Sequence, residues 1–219
     1  MWKSVIQQWV VVLFLLAFSI VIGKSSHAVE VKNLARNGDF EEGLIEWNLR
    51  QDEGAIATMK EEKKDSIKGR SCVYIKIDNV AGTAAWHLAI YQDGHQIEKN
   101  KTYTLSFWTK AEEFRPVAIY VEQAADPWDE YGRKEVEINE EWNEYWTTFI
   151  SAVSSPIWLR IALGTSKVSI WVDNVRFYEG QYAEEADLRR EKAIHPVGKL
   201  SGCWGSVKSR REFSESKKT

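Results

Sequence analysis

Three runs in the middle of the chain alternate apolar and polar residues with a period of two. Residues 71–78 set Val73, Ile75 and Ile77 against Cys72, Tyr74 and Lys76. Residues 102–110 set Tyr103, Leu105 and Phe107 against Thr104, Ser106 and Trp108, and 117–121 set Val117, Ile119 and Val121 against Ala118 and Tyr120. Successive side chains of an extended strand point to opposite faces, so this period predicts half-buried antiparallel strands. Runs at 45–50, 55–60, 85–92, 133–138, 145–152, 157–163 and 168–178, punctuated by Gly, Asn and Asp, complete a set of about ten strands. No long helical period interrupts them, which excludes a doubly wound α/β fold and predicts an all-β sandwich or barrel.

The flanks differ in kind. Lys3 followed by the apolar residues 9–22, with Ser26 and Ala28 where a signal peptidase reads small residues, predicts a signal peptide over 1–28. The apolar run is short for a membrane span. The expectation is a secreted, extracellular or periplasmic chain with no span after cleavage, and the strand-rich domain occupies 29–180. Residues 183–193 favour a short solvated helix, and 181–219 read as a charged linker and disordered tail. In that tail Trp204 stands among Gly and Lys, marking 198–208 as a candidate docking peptide for a protein partner. Cys72 and Cys203 are the two cysteines, and whether they pair is left open.

The 29 basic and 32 acidic residues nearly balance, so no whole-chain field points to nucleic acid. Neither a CxxC pair nor an HExxH run exists to suggest zinc. The 11 Trp are several times ordinary usage, and such an excess is common in all-β proteins that stack flat ligands.

Three motifs in order carry a family resemblance. Asn33-Leu34-Ala35-Arg36-Asn37-Gly38-Asp39-Phe40-Glu41 with Gly43 and Trp47 opens the domain, Lys101 to Ala111 lies in its middle, and Trp171-Val172-Asp173-Asn174-Val175-Arg176-Phe177 closes it. Together they resemble the non-catalytic carbohydrate-binding modules of families 4, 9 and 22, over residues 33–178. The resemblance implies a jelly-roll β-sandwich akin to galactose-binding-like domains and a polysaccharide or oligosaccharide ligand.

It also implies a structural Ca²⁺, held by Glu41, Asp173, the carbonyl of Asp39 and carbonyls in the turn from Lys68 to Ser71. Hard oxygen donors suit that ion. The alternative is that Asp39 and Glu41 finish a turn and cap neighbouring N–H groups. For the glycan the resemblance points to the stretches around Trp86 and Trp128 as stacking platforms, with Gln123, Tyr131 and Arg133 facing the hydroxyls and Glu122 and Gln92 as the next candidates. Ala89, Val136 and Ala162 stand at cleft positions that are polar in some relatives. Trp108, Trp142, Trp146, Trp158 and Trp171 are expected to pack the sheets.

No catalytic residues are expected. A glycosidase needs two carboxylates across the scissile bond, and no strand carries a spacing that suggests them. A Ser nucleophile in G-x-S-x-G is absent too. Against the glycan-binding reading stands an adhesive or structural sandwich that binds a protein, or an accessory of a glycoside hydrolase. Two Trp on one concave face would favour the glycan.

Overall fold

A computed structural model describes residues 31–82 and 84–185; the expected signal peptide over 1–28, most of the expected 183–193 helix, the candidate docking peptide 198–208 and Cys203 lie outside them. Ten strands are present among the described residues: β1 (Asn48–Gln51), β2 (Ile56–Glu62), β3 (Cys72–Asn79), β4 (Leu88–Ile97), β5 (Thr102–Ala111), β6 (Arg115–Gln123), β7 (Glu130–Ile138), β8 (Asn143–Ile150), β9 (Ser155–Ala162) and β10 (Ile170–Glu179). They form two five-stranded sheets, one in the order β1-β4-β9-β6-β7 and the other β2-β3-β10-β5-β8. Every pairing is antiparallel, so the all-β sandwich expected from the alternation is the fold. No described helix is long and apolar enough to cross a membrane.

The alternation becomes the core directly. Ile75, Leu105, Phe107, Val172 and Phe177 of one sheet are buried against Leu88, Ile90, Ile119, Leu159 and Ile161 of the other. Each such side chain contributes about 1.5–3 kcal/mol on leaving water. Val136, expected at the cleft, belongs to this core: it pairs with Val117 on the inward face of β7.

Two expected strands begin later than the sequence suggests. Residues 44–47 turn instead, with Trp47 N–H on Leu44 O at 3.1 Å and Glu46 at φ 74°, so β1 starts at Asn48. Ala85–His87 form a single 3-10 turn before β4. That turn lies on the sheet over Ala89 and Ala162, which are small because Ala85 packs on them.

The opening motif is a clasp on β10. Asn33 Nδ2 donates to Val175 O and its Oδ1 accepts from Phe177 N–H, while Leu34 N–H reaches Phe177 O and Val175 N–H reaches Gly38 O. Gly38 approaches so closely that a Cβ would stand 2.0 Å from Val175 O, which is why glycine is required there. Asn37, at φ 44°, bonds Gly43 O and Ile45 O through its side chain and so shapes the turn after the motif. From β4 in the other sheet, Gln92 grips the same segment: it accepts from Arg36 N–H, donates to Arg36 O, and takes a 2.8 Å bond to His95 Nε2. Gln92 is fully buried in that clamp and does not reach the cleft.

After β10 the chain crosses the outer face of the second sheet as a strap. Tyr182 stacks on Trp146 with centroids 3.9 Å apart and bonds Glu144, Arg176 donates to Ala183 O, and Glu185 reaches Lys68 and Asn174. The strap covers part of that face, and among the described residues no such strap crosses the outer, open face of the β1-β4-β9-β6-β7 sheet.

Candidate functional site

Register sorts the open face into rows. Arg50, Ala89, Ala162, Ala118 and Glu135 are successive cross-strand partners; so are Asn48, Tyr91, Arg160, Tyr120 and Arg133; and Trp158, Glu122 and Glu130 make a third row. Alternation in β9 placed this set: Trp158 and Arg160 face outward while Ile157, Leu159 and Ile161 face the core. The face holds a cleft of about 400 Å³ lined by Arg50, Trp86, Glu122, Trp128, Glu130 and Arg160.

Two indoles flank it. Trp86 projects from the 3-10 turn and is 40% exposed, with the Arg50 guanidinium 4.9 Å from its ring centre. The turn is seated by a contact that only glycine permits, because a Cβ on Gly164 would meet Ala84 O at 2.7 Å and Ala85 O at 2.8 Å. Trp128 comes from the β6–β7 loop and is 47% exposed, with its ring 5.5 Å from Trp158. Its φ of 64° is a left-handed conformation rare for a bulky residue, and such strain collects at ligand-holding loops. Trp158, expected to pack the sheet, instead lies half-buried on the cleft face beneath Trp128, Tyr91 and Arg160.

Gln123 and Tyr131 stand behind the Trp128 loop rather than in the cleft lining. Tyr131 packs against the core and its hydroxyl donates to Gln123 Oε1 at 3.3 Å; Gln123 Nε2 in turn reaches Asp126 O, and its backbone N–H bonds Asp129 O. Alternation along β6 turns Glu122 outward and Gln123 inward, and a register shift on β7 between the partners of Val121 and Glu122 turns Glu130 outward and Tyr131 inward. Arg133 is exposed on the cleft face, held by Glu130 and Glu135 and lying 5.2 Å over the Tyr120 ring. Of the five expected glycan contacts, the structure therefore brings Trp86, Trp128 and Arg133 to one face.

The centre of the cleft is an ion pair between Glu122, expected as a further polar candidate, and Arg160, which was not expected there. Arg160, 3% exposed, places Nη2 2.8 Å from Glu122 Oε1, and Glu122 is 7% exposed. Burial raises the Glu122 carboxyl above its usual range against the pull of Arg160, and burial likewise lowers Arg160. Sequence held a signal for it: a charge beside Trp158 on the outward face of an otherwise apolar strand.

At the opposite sheet, the acids of the opening and closing motifs meet the turn before β3. Asp173 is fully buried; Oδ2 accepts from Ile67 N–H at 2.7 Å and Lys68 N–H at 3.0 Å, and Oδ1 from Asn174 N–H. A bulge in β10 between Asp173 and Arg176 aims the carboxylate there. Burial outweighs those bonds and pushes Asp173 up to about 7, with Asp39 adding to the rise. Glu41 Oε1 takes Arg70 N–H at 2.6 Å and Ser71 N–H at 2.9 Å, and the first of these is the main cause holding Glu41 below the usual range. Among the described residues no three His, Cys, Asp or Glu side chains gather into a metal set. A cation would use the lone pairs that Asp173 and Glu41 retain together with backbone carbonyls, a hard-oxygen donor set that suits Ca²⁺.

Solved structures share this architecture. One, "CBM4 structure and function", is 25% identical, with a TM-score of 0.57 over 66% of this chain and 99% of that one. The CBM22-1 xylan-binding domain of Paenibacillus barcinonensis Xyn10C is 15% identical, TM-score 0.51, over 67% of this chain and 94% of that one. A putative sugar binding protein from Bacteroides thetaiotaomicron is 14% identical, TM-score 0.52, over 68% of this chain and all of that one. The last two speak for the fold alone. No curated protein sequence matches the chain. The family model described as "Carbohydrate binding domain" (CBM_4_9) matches residues 32–173, from the clasp to the buried aspartate of β10, and the protein belongs to that family.

Proposed function

We propose that this is a secreted, non-catalytic module that binds polysaccharide or oligosaccharide across the cleft, with sugar rings stacked on Trp86 and Trp128. The observation that carries the reading is the pair of half-exposed indoles flanking one cleft on the open sheet. The apolar face of a pyranose hides roughly 60–80 Å² on an indole, which stabilises the complex by about 1.5–2 kcal/mol per platform. Losing one platform therefore weakens binding about 10- to 30-fold.

Glu122 and Glu130 are cross-strand partners on the cleft face, an arrangement that invites comparison with a glycosidase pair. Each already has its own arginine, Arg160 for Glu122 and Arg133 for Glu130. That favours binding over hydrolysis.

The test is affinity electrophoresis and calorimetry of the full chain against xylan, mixed-linkage glucan, laminarin and hydroxyethylcellulose, beside Trp128→Ala. Retardation on at least one, lost in the variant and without release of reducing ends, is the expected result. A folded protein that no polysaccharide retards refutes the reading and favours a protein-binding sandwich. Calcium is proposed at Asp173, Glu41 and the carbonyls of Asp39 and of the turn from Lys68 to Ser71. Added Ca²⁺ then raises the melting temperature and chelator lowers it, whereas a melting temperature indifferent to both removes the ion.

A further inference from the structure

The buried pair in the cleft is incompletely satisfied on both sides. Arg160 Nε and Nη2 have no hydrogen-bond partner among the described residues, although Nη2 lies 2.8 Å from Glu122: the charges touch, but the N–H groups are not aligned on the oxygen. Nε and Nη2 share one edge of the guanidinium, so the two open donors form a planar fork. The Trp158 ring lies 5.1 Å from Arg160 Cζ, and Tyr91 and Tyr120 are the cross-strand neighbours of Arg160 on either side. Among the described residues the Glu122 carboxylate pairs with Arg160 and accepts no aligned hydrogen bond, so it keeps acceptor positions beside those donors. Buried donors without partners are costly, and a group that fills them is bound with that cost relieved.

What fills both must accept twice and donate once. A carboxylate on the ligand could satisfy the fork, but it has no proton to give and would face the charge of Glu122. Two neighbouring hydroxyls meet both demands, and an uncharged ligand suits a cleft where the three arginines Arg50, Arg160 and Arg133 already face the four carboxylates of Asp52, Glu122, Glu130 and Glu135, leaving no excess positive charge for an acidic chain. Resting on the glycan reading above, we infer that Arg160 and Glu122 together read two adjacent free hydroxyls on one ring of an uncharged glycan. The two hydroxyl oxygens accept from Arg160 Nε and Nη2, and one O–H donates to the Glu122 carboxylate. A chain substituted at either hydroxyl, or a polyuronate, is discriminated against.

The experiment measures retardation of the full chain by xylan and by mixed-linkage glucan, each native and O-acetylated, and by polygalacturonate. Wild type, Arg160→Lys, Glu122→Gln and Trp128→Ala are compared. Wild type is expected to prefer the native over the acetylated polymer by at least about tenfold, the scale of hydrogen bonds to charged groups. Arg160→Lys and Glu122→Gln lose native binding by a similar factor, and their preference for the native polymer shrinks. That shrinkage separates hydroxyl reading from simple crowding by acetyl groups, which would leave the preference intact in every variant. The native-against-acetylated comparison needs only wild type, so a variant that fails to fold does not remove the test.

Equal binding of native and acetylated polymers overturns the inference, as does tighter binding of polygalacturonate or a preference unchanged in Arg160→Lys and Glu122→Gln. If native polymers bind, and Trp128→Ala abolishes it while acetylation is without effect, the hydroxyl reading alone falls. If neither native polymer is retained, the glycan reading falls and takes this one with it.

Discussion

Acidification should expose the cost of burying His95. Its side chain is 6% exposed, set edge-on against Phe177 at 5.9 Å, with Nε2 2.8 Å from Gln92 Oε1. Burial first, and the charge of Arg36 second, lower its pKa from 6.5 to about 4. The hydrogen bond does little to resist this, because Nε2–H donates to Gln92 in the neutral and the charged ring alike. The native state thus binds its proton later than the unfolded chain does. Stability from this group is complete above pH 6.5 and declines as pH falls through the interval down to about 4, at about 1.4 kcal/mol per unit. The loss over that interval is about 3 kcal/mol, a large share of an ordinary domain's stability.

The assay is urea unfolding followed by tryptophan fluorescence at several pH values between 4 and 7.5, for wild type and His95→Gln. Glu122 and Asp173, whose carboxyls burial raises and which therefore act with the opposite sign, are common to both chains and cancel in the difference. The wild-type curve should fall more steeply than that of the variant by about 3 kcal/mol over the window, whatever the variant loses in packing at neutral pH. Parallel curves would refute the reasoning, since they would mean that the ring is solvated or the pocket opens before it protonates.

Two further outcomes follow from how the indoles are seated. Gly164→Ala drives a Cβ into the backbone carbonyls of Ala84 and Ala85, so the 3-10 turn must lift; stability falls by about 1–3 kcal/mol and glycan affinity falls with it as Trp86 moves, measured by thermal melts and calorimetry. Tyr131→Phe removes the hydroxyl that holds Gln123 and with it the Trp128 loop, while keeping the ring in the core. Affinity then drops by a few-fold with the melting temperature nearly unchanged, and an unaltered affinity would show that the strained loop holds itself.

Much of the fold was legible because burial and the strand period carry the same signal. Val73, Ile75 and Ile77 declared a face, and that face is the core. Element starts were less legible where a turn borrows strand-like residues: Ile45 is exposed in a turn, and Trp86 rides a 3-10 turn although both lie in alternating stretches. Period alone also cannot say which of two outward faces stays open. Trp146 and Trp158 read alike in sequence, yet the strap brings Tyr182 onto the first and the cleft uses the second.

The site was half visible for a related reason. Trp128 announced itself by lying among Asp126, Pro127, Asp129 and Glu130, a poor setting for burial. Gln123 and Tyr131 sit close to it in sequence, but alternation along β6 sends Gln123 behind the loop and the register shift opposite Glu122 sends Tyr131 with it. Arg160 hid among Ile157, Leu159 and Ile161, where one charge reads as an interruption. Only the pairing across to Tyr91 and Tyr120 shows that it sits at the centre of a surface.

The clasp between Asn33 and Val175–Phe177 bears on how such a module can be joined to other proteins. The stretch that opens the domain and the strand that closes it run side by side on the sheet opposite the cleft, so a chain can enter and leave at nearly one point. Inserting the module into a loop of a host demands little distortion from either partner, and neither junction passes over Trp86 or Trp128. The same adjacency makes the two ends interdependent: a cut or fusion that pulls Asn33 away frees backbone groups on β10, the central strand of its sheet. Tension applied at the ends would then meet the clasp's hydrogen bonds before it reaches the strands that hold the cleft.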